Sequence, residues 1–148
     1  MSKLYVAYGS NLHLDQMARR CPSATVYGVG RLNNWELLYR GMEGNAHATI
    51  ARKKGASVPV VIWNIEPSDE SSLDVYEGYP KYYFKQDVMV EIGGRKKKAM
   101  VYIMDLRRKA ARPSRSYANI IRQGYLDNDL DLDYFEESLE KNHLECRR

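Results

Sequence analysis

Lys3-Leu4-Tyr5-Val6-Ala7-Tyr8-Gly9-Ser10-Asn11-Leu12 has the pattern of a strand that runs into a tight turn, with Gly9-Ser10-Asn11 as the break. Directly afterwards Leu14, Met17, Ala18 and Cys21 recur at helical spacing. The chain therefore opens strand, turn, helix. A turn of that kind leaves backbone N–H groups at the helix start without partners, and these can converge on a negative oxygen. Gly9 lets the backbone approach a ligand closely. The plainer reading of the same turn is structural, with Ser10 or Asn11 as the N-cap of the helix.

Beyond this opening the pattern turns β-rich. Segments 25–32, 35–40, 47–52 and 58–65 read as strands, separated by Gly, Asn or Lys-rich breaks and expected to pair mostly antiparallel. Residues 69–77 form a short helix, with Ser68 as N-cap, acids in the first turn, and Gly78 followed by Pro80 as the stop. Two more strands, 82–92 and 97–106, flank the hairpin signal Gly93-Gly94-Arg95. After a Lys/Arg/Pro-rich linker over 107–113, Ser114 caps a helix that presents Tyr117, Ile120 and Ile121 and ends near Gly124. A last helix starts near Asp131 or Asp133 and turns Leu132, Phe135 and Leu139 to the core. Strands outnumber helices without regular βα alternation. The expected fold is α+β, one domain over residues 1–148, with a mixed, mostly antiparallel, curled or barrel-like sheet and a few short helices.

Composition agrees. With 148 residues, 44% of them hydrophobic and 28% charged, the chain suits one ordinary globular domain that buries roughly two-thirds of its unfolded surface. The longest apolar runs, such as that from Val58 to Trp63, fall far short of the roughly 20 residues of a membrane-spanning helix. No basic region, apolar stretch and small-residue cleavage site open the sequence as a secretion signal would. Cys21 and Cys146 are the two cysteines and make no disulfide framework. These features point to a cytoplasmic protein with no membrane partner. The net charge of +4 collects partly at Arg95-Lys96-Lys97-Lys98 and Arg107-Arg108-Lys109, a hairpin and a linker where solvated charge is the ordinary outcome.

The sharpest chemical candidate is Glu77. It lies four residues after Leu73, on the face that the short helix turns toward the core, and at a helix C-terminus where the macrodipole disfavours negative charge. Burial and dipole would raise its pKa into the range useful for proton transfer at neutral pH. The alternative is a solvated final-turn residue, since short helices leave their phase loosely defined. His13, His47 and His143 are scattered without metal-ligand spacing, so no metal is expected. His13 reads as a solvated helix-start residue, Cys21 as core, and the loop Gly41-Met42-Glu43-Gly44 as flexible and bordering any pocket.

Taken together, these residues resemble the γ-glutamylcyclotransferase-like proteins, which include AIG2-like and butirosin-type cyclotransferases. The marks of the resemblance stand in order along nearly the whole chain: Tyr8-Gly9-Ser10-Asn11-Leu12, Arg20-Cys21-Pro22, Ala48-Thr49-Ile50, Leu73-Asp74-Val75-Tyr76-Glu77-Gly78-Tyr79-Pro80, and Pro113-Ser114 with Tyr117. Val60 departs from it, because relatives carry glycine after the proline at that place. The resemblance implies cofactor-independent cyclisation of a small-molecule γ-glutamyl substrate to 5-oxoproline. It assigns Glu77 as general acid/base, the turn from Gly9 to Leu12 as the substrate cradle or oxyanion site, and Tyr117 as a substrate contact. Tyr8 adds a hydroxyl to the pocket wall or simply packs. Two rival readings remain: an amide hydrolase with Ser10 as nucleophile, which lacks a GxSxG elbow, and a noncatalytic module for a small molecule or nucleic acid, which lacks a recognisable binding signature.

Overall fold

A computed structural model describes residues 2–105 and 107–147. Five strands form a closed barrel in the order β1-β3-β2-β4-β5. They are β1 (Lys3–Ala7), β2 (Thr25–Arg40), β3 (His47–Ile65), β4 (Tyr83–Ile92) and β5 (Arg95–Met104). All neighbours pair antiparallel except β1 and β5, which close the barrel in parallel at Tyr5 and Met100. Four helices complete the domain: α1 (Leu14–Arg20), α2 (Pro67–Glu77), α3 (Arg115–Asp127) and α4 (Leu132–Cys146). The α+β, barrel-like expectation is what the chain adopts.

Several boundaries differ from the sequence reading, each for a local reason. The four expected segments between 25 and 65 merge into two long strands, because the Asn and Lys-rich breaks are absorbed as a bulge between Asn33 and Trp35 instead of ending the ladder. The α2 helix starts two residues earlier than expected, with Pro67 at its first position, and Ser68 is not its cap. Glu66 is the N-cap and forms a capping box with Asp69, whose carboxylate accepts the Glu66 amide at 2.9 Å. Neither Ser10 nor Asn11 caps α1. Both belong to a 3-10 turn over Ser10–Leu12, and the His13 ring Nδ1 accepts the Gln16 amide as the true cap. The α3 helix continues past Gly124 to Asp127, and Asp131 caps α4. The expected strand end at Leu106 lies outside the described residues.

Barrel closure depends on one close approach. A Cβ on Gly30 of β2 would stand 2.2 Å from the carbonyl oxygen of Glu91 on β4, so only glycine lets β2 and β4 meet. Its neighbour across the β2–β3 ladder is Val60, fully buried. The tight backbone contact thus belongs to Gly30 in this chain. The core continues outward through Leu73 of α2 and through Ile121, Tyr125 and Phe135 of α3 and α4, with the last two rings 5.2 Å apart.

Candidate active site

A cavity of about 130 Å³ opens where the 3-10 turn, the end of α2 and the barrel strands meet. Gly9, Ser10 and Asn11 form one wall and Glu77 projects from another. Seven tyrosines supply most of the remainder. Of the residues the sequence singled out, the cavity brings together Tyr8, Gly9, Ser10, Asn11, Glu77 and Tyr117.

Leu12 is the exception. Its side chain is fully buried beneath α3, where a Cβ on Gly124 would stand 2.5 Å from Leu12 Cβ. Its amide is also occupied, donating to the Gly9 carbonyl at 3.0 Å. Leu12 therefore pins the turn and does not cradle a ligand. The amides of Ser10 and Asn11 open the 3-10 turn and have no acceptor within it, so the expected N–H cradle narrows to the residues before Leu12.

Glu77 owes its place to a sharp helix stop. Gly78 takes the left-handed conformation, φ 66°, and returns its amide to the carbonyls of Asp74 and Val75. A Cβ there would also stand 3.0 Å from the Tyr82 Cβ. Glu77 is half-buried by exposed area because the cavity is open, yet protein crowds its carboxyl on nearly every side. The crowding governs its chemistry. Burial pushes the Glu77 pKa from 4.5 up to about 7, and nearby Arg20 opposes that rise only in part. The inward placement expected from Leu73 is what the helix provides.

The tyrosines divide by what their hydroxyls already do. Three donate to protein acceptors: Tyr8 to the Tyr102 carbonyl at 2.7 Å, Tyr83 to the Ala48 carbonyl at 2.7 Å, and Tyr102 to the Asp74 carboxylate at 2.6 Å. Two others accept from nitrogen: Tyr5 from the Asn11 side-chain amide at 2.8 Å and Tyr117 from the Ala48 backbone amide at 3.0 Å. Their own protons remain available to a ligand. Burial, and after it the Glu77 charge, push the Tyr5 and Tyr8 hydroxyls well above the ordinary tyrosine value. These groups stay protonated and act as neutral donors or packing, never as bases.

Sequence reasoning passed over Tyr5, His47 and the Arg20–Tyr76 pair. Arg20 stacks over the Tyr76 ring at 3.4 Å from its centroid and donates from Nη1 to the Asn11 side-chain oxygen. Tyr76 in turn shares a 3.1 Å hydrogen bond with the Ser10 hydroxyl. Ser10 therefore faces a phenol instead of a base, which leaves a serine-nucleophile role without its activator. His47 lines the cavity, sits 3.2 Å from the Tyr82 hydroxyl through Nδ1, and has its pKa held below the ordinary value by burial. Gly41 packs against Tyr82 from outside, so the 41–44 loop touches the wall without lining it. Cys21 is buried and free, as a core residue would be. Among the described residues no three His, Cys, Asp or Glu side chains gather as a metal would require, and no helix is long and apolar enough to cross a membrane.

A closed barrel with one desolvated carboxyl in a small cavity walled by hydroxyls defines an enzyme acting on a compact polar molecule. The family model described as gamma-glutamyl cyclotransferase, AIG2-like, matches residues 5–123, and the chain belongs to that family. A gamma-glutamylcyclotransferase of Homo sapiens is 32% identical over 148 residues, spanning 92% of this chain and 77% of the relative. One from Bos taurus is 33% identical over 141 residues, spanning 90% and 75%. A solved gamma-glutamyl cyclotransferase structure superposes with a TM-score of 0.85 at 33% identity, across 93% of this chain and 86% of that one. YkqA from Bacillus subtilis shares the fold at a TM-score of 0.80 and 22% identity.

Proposed function

We propose that this enzyme converts a γ-glutamyl amino acid or γ-glutamyl amine to 5-oxoproline and the free amine by intramolecular aminolysis. The observation that carries the reading is Glu77: a carboxyl whose pKa is pushed to about 7, in the same cavity as the Gly9-Ser10-Asn11 turn. A base poised near neutrality can take a proton and return it.

The steps balance within the substrate and one carboxyl. Ionised Glu77 removes a proton from the substrate's α-ammonium group, and the freed amine attacks its own γ-carbonyl carbon to close a five-membered ring. The carbonyl oxygen becomes negative and is met by the free amides at the turn and by the hydroxyl proton of Tyr5 or Tyr117. The bond to the leaving nitrogen then breaks as Glu77 passes its proton to that nitrogen, and the extra proton on the new ring nitrogen returns through the same carboxylate to the departing amine, leaving a neutral lactam and an ammonium ion. Nothing is oxidised or reduced, so the reaction calls for no cofactor. Nucleophile and electrophile share one molecule, and the protein's task reduces to folding the substrate, moving a proton and holding charge.

This reading takes residues 1–148 as one catalytic domain working in the cytoplasm, where the free thiols of Cys21 and Cys146 stay reduced. The test is a panel of γ-glutamyl amino acids, γ-glutamyl-lysine and a carrier-linked γ-glutamyl compound, assayed for 5-oxoproline. Release from at least one is expected, and the leaving group preferred names the substrate class. No 5-oxoproline from any member sinks the reading.

A further inference from the structure

Glu77 occupies the last turn of α2, so its aim depends on what fixes that turn to the barrel. Glu70, Leu73, Asp74 and Glu77 stand at helical positions i, i+3, i+4 and i+7, one face of α2. Leu73 enters the core. The two acids before Glu77 are held by three strands. The Asp74 Oδ1 accepts the Tyr102 hydroxyl of β5 at 2.6 Å. The Lys85 Nζ of β4 lies 2.9 and 3.1 Å from the two Asp74 oxygens and 2.7 Å from Glu70 Oε2. Lys3 of β1 reaches Glu70 Oε1 at 2.9 Å.

Lys85 also touches the far side of the helix end, with its ammonium 4.3 Å from the centroid of the Tyr79 ring. Glu77 is thus bracketed along the chain by Asp74 and Tyr79, and both meet the same lysine. Burial opposes the Lys85 charge, but Glu70 and Asp74 outweigh it and hold its pKa above the ordinary lysine value. The Tyr102 end of the cluster reaches the cavity wall: its carbonyl accepts the Tyr8 hydroxyl, and its ring meets Tyr5 edge-on at 5.8 Å.

We propose that Tyr102, Asp74 and Lys85 form a brace whose role is to position Glu77, fixing the end of α2 so that the carboxyl points into the cavity and away from water. The proposal rests on Glu77 as the acid/base of the preceding section. Asp74 and Lys85 do not line the cavity, so their effect on the reaction passes through the helix.

The experiment is a carbon-13 NMR titration of the Glu77 carboxyl, with kcat and KM, in wild type, Tyr102→Phe, Lys85→Met and Lys85→Arg. Tyr102→Phe removes no charge, so any fall in its Glu77 pKa reports a carboxyl that has swung toward water. The expected result is a Glu77 titration lower by about one pH unit in Tyr102→Phe and Lys85→Met. The same two variants should lose kcat roughly tenfold to a hundredfold, with KM moving far less in Lys85→Met. Lys85→Arg, which keeps the charge, should recover most of both. A Glu77 titration at the wild-type position in folded Tyr102→Phe overturns the proposal, as does an undiminished kcat there. If Lys85→Met does not fold, the Glu77 titration in Tyr102→Phe decides, because Tyr102 itself lines the cavity and the kcat of that variant by itself does not separate a brace from a wall contact. Activity retained by Glu77→Gln would defeat the acid/base reading instead, while the NMR titration still judges the brace.

Discussion

The hydroxyl of Tyr117 accepts the backbone amide of Ala48 at 3.0 Å and stands 3.6 Å from where a Cβ on Gly9 would be. One phenol on α3 thereby holds the start of β3 beside the Gly9 turn and keeps its own proton for the cavity. Tyr117→Phe leaves the Ala48 amide without its acceptor, a loss of about 1–3 kcal/mol for a shielded donor. It also removes a hydroxyl from the cavity wall, where the proposed reaction places the substrate. Urea denaturation is expected to show the loss of stability, and steady-state kinetics a several-fold rise in KM.

Glu77→Gln keeps shape and removes the titratable proton. If Glu77 both accepts and returns the proton, kcat should fall by about 10²–10⁴-fold with little change in KM. Ser10→Ala, which loses only the bond to the Tyr76 hydroxyl, should keep most of the activity. The reverse ranking, or a covalent acyl-enzyme seen by mass spectrometry, would move the assignment to serine chemistry.

The pH dependence follows from the same carboxyl. Glu77 must be ionised to act as a base, so the rate should fall below about pH 7 with a slope of one proton. Stability runs the opposite way. Between 4.5 and about 7 the folded state holds a proton that the unfolded state has released, so unfolding free energy drops as pH rises through this window. The full shift corresponds to about 3–4 kcal/mol. Denaturation at pH 5 and pH 8 should show this loss in wild type and not in Glu77→Gln.

The backbone pattern carried most of this architecture in advance, because strands and short helices leave their periods in the sequence. The strand, turn and helix at residues 3–21 and the capped helix ending at Gly78 were readable in that way. Glu77 was readable as well, since its spacing from Leu73 sets the face it occupies. The site roles of Arg20, Tyr5 and His47 were not: Tyr5 and Arg20 lie close to the turn in sequence, but their bonds to the Asn11 side chain leave no periodic mark, and His47 reaches the cavity from β3 only when the barrel closes. Leu12 was assigned to the ligand for the converse reason: the turn motif marks a residue run, while Gly124, over a hundred residues later, decides which of those residues points inward. The continuity of β2 and β3 was hidden because a bulge and a chain break look alike in composition.

Gly124 offers the strictest test of how far the turn depends on its support. A side chain there would meet Leu12 Cβ at 2.5 Å, the Leu12 carbonyl carbon at 2.8 Å and the His13 nitrogen at 2.9 Å, and two of those three atoms are backbone. Flexible side chains can step aside, but this turn cannot move without carrying Ser10 and Asn11 with it. Alanine suits a helix interior better than glycine by roughly 1 kcal/mol, so intrinsic propensity alone predicts that Gly124→Ala stabilises the protein. The clash predicts a loss of about 1–3 kcal/mol, together with a fall in kcat/KM as the turn shifts against Glu77. Thermal melting and kinetics on this single variant separate the two, and a more stable, fully active enzyme would mean that the turn holds its shape without α3.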